Sequence, residues 1–166
     1  MKKFLFLALV LILAVFGCSR NKEPLTLRIE WQKADTDACL ACKGGGAREA
    51  DIQKAFERLS KQLAAKGIRV ELVEKKATVD STVPEIAGGQ MWLGNLPVEN
   101  WLGASTQGKI CPACPVGKYG KGHMHKSLVL DGQVYDPIPV ELMVRAGMNA
   151  AQQLVQNQKS ETGKQK

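Results

Sequence analysis

The residues best suited to chemistry in this sequence are four cysteines in two C-x-x-C pairs, Cys39 with Cys42 and Cys111 with Cys114. At this spacing two sulfur atoms can converge on one ion or on each other. A pair can therefore bind a soft metal or metalloid ion, cycle between dithiol and disulfide, or lock a loop. All three chemistries stay open for both pairs.

The two histidines of the chain, His123 and His125, follow the second pair within a dozen residues. Together with Cys111 and Cys114 they predict a Cys₂His or Cys₂His₂ centre for zinc, copper or another soft ion. A Cys₄ centre would need the first pair to fold against the second. Proline and glycine around Cys114 disfavour a helix start, which favours a metal-binding loop. The alternative for both histidines is a solvated loop.

If the cysteines exchange disulfides instead, the protein is an enzyme of the thiol-disulfide oxidoreductase class. The first cysteine of a pair would then attack, and the second would resolve the mixed disulfide. These roles would fall to Cys39 or Cys111 and to Cys42 or Cys114, respectively. This function needs a redox partner protein. The remaining alternative is a non-catalytic scaffold with structural disulfides.

The N-terminus has the parts of a secretory signal peptide. Lys2 and Lys3 precede an apolar run from Phe4 to Phe16. This run is shorter than the roughly 20 residues that a permanent transmembrane helix needs. The tetrad VFGC, which ends at Cys18, resembles the lipobox of bacterial lipoproteins. That resemblance implies cleavage before Cys18, acylation of its thiol and attachment to a membrane.

These expectations divide the chain into four parts. Residues 1–17 form a lipoprotein signal peptide, 18–24 the lipid anchor and tether, 25–156 one domain, and 157–166 a disordered polar tail. Four cysteines remain beyond the anchor, so a cell-envelope location permits disulfides without requiring them. Ser19 follows the anchor cysteine, and by resemblance to Gram-negative lipoproteins this favours the outer membrane, facing the periplasm, over the inner membrane.

The net charge of +7 falls to +5 when Lys2 and Lys3 leave with the signal peptide. The remaining basic residues are not interleaved with aromatic residues and form no basic helix, which disfavours nucleic acid as a partner. Attraction to anionic lipid headgroups explains the excess more simply. The expected partners are therefore the membrane and, for a redox function, another protein.

Hydrophobic patterns predict the elements that must hold the cysteines. Apolar residues alternate in 25–31 and in 68–72, which indicates two strands, and recur every three or four positions from Ile52 to Ala64, which indicates a helix. Strand, helix and strand predict a right-handed βαβ unit with parallel strands and with the first pair in the loop after its first strand.

The second half of the chain predicts fewer regular elements. Gln90 to Leu93 indicate a third strand, and Ser105 to Lys126 a loop rich in cysteine and glycine. Asp131-Gly132 favours a two-residue hairpin turn between strands at 127–130 and 133–136. Pro139 begins a closing helix with an apolar stripe.

A βαβ unit followed by an antiparallel hairpin and a closing helix resembles the α/β thioredoxin-like fold. In thioredoxins the helix begins at the dithiol, whereas here three glycines separate Cys42 from the helix. The segments LRIEWQK, QMWLGNLPVENWLGA and LDGQVYDPIPVELMVRAG are similar to those of a bacterial and archaeal family termed domain of unknown function 2703, which is considered thioredoxin-like. This resemblance covers Leu25 to Gly147 and implies the fold without an activity.

Overall fold

A computed structural model describes residues 24–33, 45–75, 89–110 and 124–163. Within these segments the elements follow in the order β1 (Leu25–Gln32), α1 (Glu49–Ala64), β2 (Ile68–Glu74), β3 (Gln90–Leu93), β4 (Leu96–Pro97), α2 (Val98–Leu102), β5 (Ser105–Ile110), β6 (Met124–Leu130), β7 (Gln133–Tyr135) and α3 (Val140–Gly163). The strands form a four-stranded sheet and a three-stranded sheet.

The first sheet has the strand order β2-β1-β3-β4 and contains the predicted βαβ unit. Strand β1 is parallel to β2, with Leu25 opposite Ile68, and antiparallel to β3, with Gln32 opposite Gln90. Strands β3 and β4 join through a turn at Gly94, whose φ of 62° suits glycine. Because parallel neighbours end at the same edge, the chain leaves β1 and β2 and enters β3 at one end of this sheet.

The second sheet has the strand order β5-β6-β7. Asp131 and Gly132 both have positive φ, 51° and 79°, as the predicted hairpin turn requires. This hairpin therefore belongs to the second sheet, and the hairpin that extends the βαβ unit is the one formed by β3 and β4.

The core lies between one face of the first sheet and helices α1 and α3. Leu27, Ile29 and Trp31 alternate along β1 and are buried, as their period of two predicts. The apolar stripes of the two helices pack against each other, and Leu59 and Met143 within these stripes are fully buried. This arrangement of a β-α-β start, further strands and a closing helix is a mixed α/β fold, compatible with the predicted thioredoxin-like fold.

One predicted loop was wrong. The loop predicted from Ser105 to Lys126 contains strand β5 and the start of β6, which pair from Ser105 opposite Val129 to Ile110 opposite Met124. The residues of β5 from Ser105 to Gly108 are exposed. Main-chain pairing therefore holds this strand without the apolar alternation that would have revealed it.

The polar tail is helical for most of its length. Helix α3 continues to Gly163, beyond the predicted domain end at residue 156. Gln153 donates a hydrogen bond to Asn157 at 2.9 Å, and the Ser160 hydroxyl donates to the Asn157 carbonyl at 2.7 Å. Such contacts three and four residues apart stabilise an exposed helical turn without apolar burial. No helix in the described part of the chain combines the length and the apolar character needed to span a membrane.

Candidate functional site

Six of the seven predicted site residues lie outside the described part of the chain: Cys18, Cys39, Cys42, Cys111, Cys114 and His123. The seventh, His125, lies in β6, where the structure describes only its backbone. The described residues contain no group of three His, Cys, Asp or Glu side chains arranged to hold a metal ion. What the structure does describe is the set of residues that border the cysteine segments.

The first cysteine pair lies between β1 and α1. Strand β1 ends at Gln32, and the described chain resumes at Gly45. Helix α1 begins at Glu49, seven residues after Cys42, so the predicted separation of dithiol and helix is confirmed. The first turn of α1 carries its own acids, and the buried Asp51 pairs with Arg48. The helix N-terminus is thus neutralised by residues of its own turn.

Gly46 fixes the end of the first cysteine segment. Its N–H donates to Asp136 Oδ1 at 2.7 Å, and its carbonyl accepts the N–H of Ile138 at 2.9 Å. It also forms an isolated parallel bridge with Gly89, where the Ala47 N–H donates to the Gly89 carbonyl at 2.7 Å. We call Gly46, Gly89, Asp136 and Ile138 the Gly46 clasp.

Both glycines of the clasp are required by space. A Cβ atom on Gly46 would overlap the carbonyl oxygen of Gly89, and a Cβ atom on Gly89 would overlap the carbonyl oxygen of Ala47. Gly46 also has a φ of 66°, in the left-handed region. The segments that precede α1 and β3 can therefore meet only because neither residue has a side chain.

The second cysteine pair lies between β5 and β6, in the segment 111–123. Lys126, the residue after His125, donates to Glu99 Oε1 at 2.7 Å. The next residue, Ser127, donates its hydroxyl to Asp136 Oδ2 at 3.4 Å. One carboxylate thus accepts hydrogen bonds from the end of the first cysteine segment and from the strand that follows the second.

A cleft lies where the borders of the two segments meet. It is lined among others by Gly46, Gly89, Gln90, Glu99, Thr106 and Lys126. Its volume of about 30 Å³ is enough for a water molecule. A typical organic cofactor needs several hundred Å³, so the described walls of this cleft fit a small ligand at most.

Two lysine-tryptophan pairs lie at the end of the first sheet, beside the first cysteine segment. The Lys75 ammonium lies 4.2 Å from the centre of the Trp92 ring and 3.5 Å from Glu30 Oε2. Lys33 lies 5.3 Å from the Trp31 ring. The i, i+2 spacing of Trp31 and Lys33 at the end of β1 could have predicted the second pair. No local signal marks the first, because Trp92 is distant from Lys75 in sequence.

The contacts of Asp136 were also missed by sequence reasoning. Within YDPIP this residue has the pattern of an ordinary turn aspartate. Its partner Gly46 lies 90 positions away, so no short motif could join the two.

Comparison with known proteins gives one result for this chain. No curated protein and no solved structure matches it significantly. The family model described as "Domain of unknown function (DUF2703)" matches residues 27–147, which span β1 to the first turns of α3 and include both cysteine pairs. Since this match covers more than half of the sequence, the chain belongs to the family termed domain of unknown function 2703.

Proposed function

We propose that this protein binds a soft metal or metalloid ion at the cell envelope, through ligands drawn from Cys39, Cys42, Cys111, Cys114, His123 and His125. The observation that carries this proposal is the double role of Asp136. Its carboxylate accepts hydrogen bonds from Gly46 and from Ser127, the borders of the two cysteine segments.

Covalent geometry limits how far the thiols can lie from this carboxylate. Cys42 is four residues from Gly46, so their Cα atoms are within about 14 Å of each other. Cys114 is likewise four residues from Ile110, which pairs with Met124 close to Ser127. These limits permit the four sulfurs to share one ion, as a Cys₄ centre requires.

The described electrostatics favour a metal ligand over a redox nucleophile. An attacking thiol needs a lowered pKa, which a helix N-terminus or an unpaired cation supplies. Helix α1 begins well after Cys42 and has acids in its first turn. Among the lysines whose side chains the structure describes, Lys33 pairs with Glu74, Lys75 with Glu30 and Lys126 with Glu99. Metal binding needs neither a helix N-terminus nor an unpaired cation, because the bound ion itself favours deprotonation of the thiols.

The test is to purify the protein from the envelope without chelator and to measure bound metal and free thiols together. Stoichiometric zinc or copper with four reactive thiols after metal release supports the proposal. A reducible disulfide with a potential well above about −300 mV would assign the oxidoreductase function instead. A disulfide that resists reduction would assign the structural scaffold. Variants with Cys→Ser at positions 39 and 42, or at 111 and 114, attribute the result to a pair.

We also propose that Cys18 carries the lipid that holds the domain at the envelope, with the outer membrane favoured. Cys18→Ser is then expected to move the protein from the membrane fraction to the soluble fraction and to abolish labelling by a fatty-acid analogue. Cys39→Ser is the matched control and is expected to keep both. If Cys18→Ser stayed in the membrane with its label, this part of the proposal would be wrong.

A further inference from the structure

Strand β2 lies at the edge of the first sheet. In the described part of the chain it pairs with β1 only, and this ladder runs without a bulge from Leu25 opposite Ile68 to Trp31 opposite Glu74. Proteins commonly block such an edge with proline, with a bulge or with charges that repel. Since β2, with the sequence IRVELVE, has neither proline nor bulge, its charges decide whether a further strand can pair with it.

One hydrogen bond shows which backbone groups of β2 point away from β1. The Lys75 N–H donates to the Trp31 carbonyl at 2.6 Å, so the backbone of Lys75 faces β1. Because successive residues of a strand direct their N–H and C=O groups to alternate sides, every second residue back from Lys75 also faces β1. The N–H and C=O groups of Ile68, Val70 and Leu72 therefore point outward.

Arg69 and Glu71 place opposite charges on the face of the sheet away from helices α1 and α3. Their side chains are 67% and 40% exposed, and Arg69 Nη2 lies 3.3 Å from Glu71 Oε1. Consider two β2 strands paired antiparallel with a two-fold axis at Val70. Arg69 of each copy then lies opposite Glu71 of the other, with Cα atoms about 4.5 Å apart. The four charges alternate in sign, so each has an opposite charge both beside it and across from it.

The same register joins the apolar residues on the other face of the sheet. Ile68 of one copy lies opposite Leu72 of the other, and the two Val70 residues lie opposite each other. Val70 and Leu72 pack against the core but are only half-buried in the single chain. Pairing would therefore remove apolar surface from water on one face while it joins opposite charges on the other.

Neighbouring registers of the same pair are less favourable. An axis at Arg69 or at Glu71 places two identical charges opposite each other. An axis at Leu72 places Arg69 opposite Lys75, which also repel. An axis at Val73 joins Glu71 to Lys75, but fewer residues of β2 then pair. Charge and length together select the axis at Val70.

We propose that β2 is a self-association edge, at which two copies of this chain join their first sheets into one continuous eight-stranded sheet. The interface is isologous, because each copy contributes the same residues, Ile68 to Leu72. So short a strand pairing belongs to the small, transient class of interfaces, so the dimer is expected to be in equilibrium with the monomer.

The experiment is sedimentation equilibrium of the full-length protein in detergent, with micelles in excess over protein. For the wild type we expect a dimer whose fraction rises with concentration. Arg69→Glu and Glu71→Arg each turn both cross-strand pairs into like-charge pairs, so each should weaken dimerisation by about 10-fold or more. The double variant restores opposite charges in exchanged positions and should return to within about 3-fold of the wild type.

A control and a second measurement make the test independent of any loss of folding. Arg145→Glu makes the same change of charge at an exposed position of α3, which packs against β1 and β3, and should dimerise as the wild type does. In the wild type, amide hydrogen exchange measured by NMR should slow at Val70 and Leu72 as the concentration rises. Exchange at Glu71 and Val73, whose N–H groups face β1, should not change with concentration.

Two results would overturn the inference. One is a wild type that remains monomeric over the whole concentration range. The other is a dimer that neither charge reversal weakens and that leaves exchange at Val70 unchanged, because such a dimer uses a different surface.

Discussion

Two single residues, Gly46 and Gly89, allow two backbone segments of this molecule to approach closely. Each lies where a side chain would overlap a backbone carbonyl oxygen. The sequence marks 44–46 as a glycine run that separates the first dithiol from its helix, and the structure confirms that separation. Which glycine meets Gly89 could not be predicted, because the contact joins positions 43 residues apart and has no local pattern.

Gly46→Ala and Gly67→Ala provide a matched test of the clasp. Both residues have positive φ, 66° and 69°, so alanine costs about 1–2 kcal/mol at either position. At Gly67 nothing lies within reach of the new methyl group, whereas at Gly46 it overlaps Gly89. We expect Gly67→Ala to lower the free energy of unfolding only by this conformational cost and Gly46→Ala to lower it by about 2–4 kcal/mol in all. Urea unfolding measures both losses. Equal losses would mean that the backbone around Gly46 moves at little cost to accommodate the methyl group.

The cysteine pairs themselves were visible from their spacing alone, but the residues that border them in space were not. Asp136, Ser127 and Lys126 belong to the hairpin region, whose sequence predicts only a turn and two strands. The hairpin region lies near Gly46 because Asp136 and Ile138 bind the backbone of Gly46. Such contacts depend on the whole fold and not on neighbours in the chain.

At the scale of elements, prediction succeeded where burial imposes a period. Strands β1 and β2 alternate because one face packs on helices, and α1 repeats at three and four residues for the same reason. Strand β5 was not predicted, because the residues whose exposure the structure describes all face solvent. The end of α3 was not predicted either, because polar contacts along the helix hold it. Elements that bury little apolar surface leave little trace in sequence.

The contact between helices α1 and α3 depends on Gly147. A methyl group there would lie 2.5 Å from Leu59 Cδ1, which is fully buried. We expect Gly147→Ala to cost about 1–3 kcal/mol by overpacking and Leu59→Ala to cost about 2–5 kcal/mol by creating a cavity. The double variant should cost less than the sum of the two, because the methyl group fills space that the leucine vacates.

Equilibrium unfolding of the four proteins gives the coupling free energy between these positions. Leu96→Ala is the control, since Leu96 is 42% exposed and its loss should change stability by no more than about 0.5 kcal/mol. Strict additivity of Leu59→Ala and Gly147→Ala would contradict the direct contact.

Glu141 lies in the first turn of α3, where an ionised carboxylate is favoured. A backbone hydrogen bond at Glu141 and then the Arg58 side chain, 3.0 Å away, lower the pKa of this carboxyl below its ordinary 4.5. We expect NMR titration to give a pKa below 4.5 in the wild type. In Arg58→Ala the pKa should rise but stay below 4.5, because the backbone bond, the larger cause, remains.

The sign of the accompanying stability change follows from linkage. Since folding lowers the pKa of Glu141, its stabilising contribution is present above pH 4.5 and is lost as pH falls through the folded pKa. The side chain is 71% exposed, so the effect is small and screened by salt. A Glu141→Gln variant whose stability differed from the wild type more at pH 3 than at pH 7 would contradict this assignment.

For the whole molecule, metal binding and folding should be linked if the four thiols share an ion. A ligand that binds only the folded state stabilises it by about 2.7 kcal/mol at a free concentration of 100 times Kd. We expect Zn²⁺ to raise the unfolding midpoint of the reduced wild type and a chelator to reverse the rise. A variant with all four pair cysteines changed to serine should show neither effect, and a midpoint indifferent to Zn²⁺ in the wild type would argue against the centre.

The hydrogen bond between Gly46 and Asp136 spans 90 positions of the chain. A ribosome adds about 5–20 residues per second, so Cys42 exists for roughly 5 to 20 s before Asp136 has been synthesised. During that interval the first pair meets its surroundings alone, without the carboxylate that fixes its border. If the two pairs share one ion as proposed, assembly of the site therefore has a direction. An oxidant or ion encountered early acts on the N-terminal thiols before the C-terminal third of the polypeptide exists.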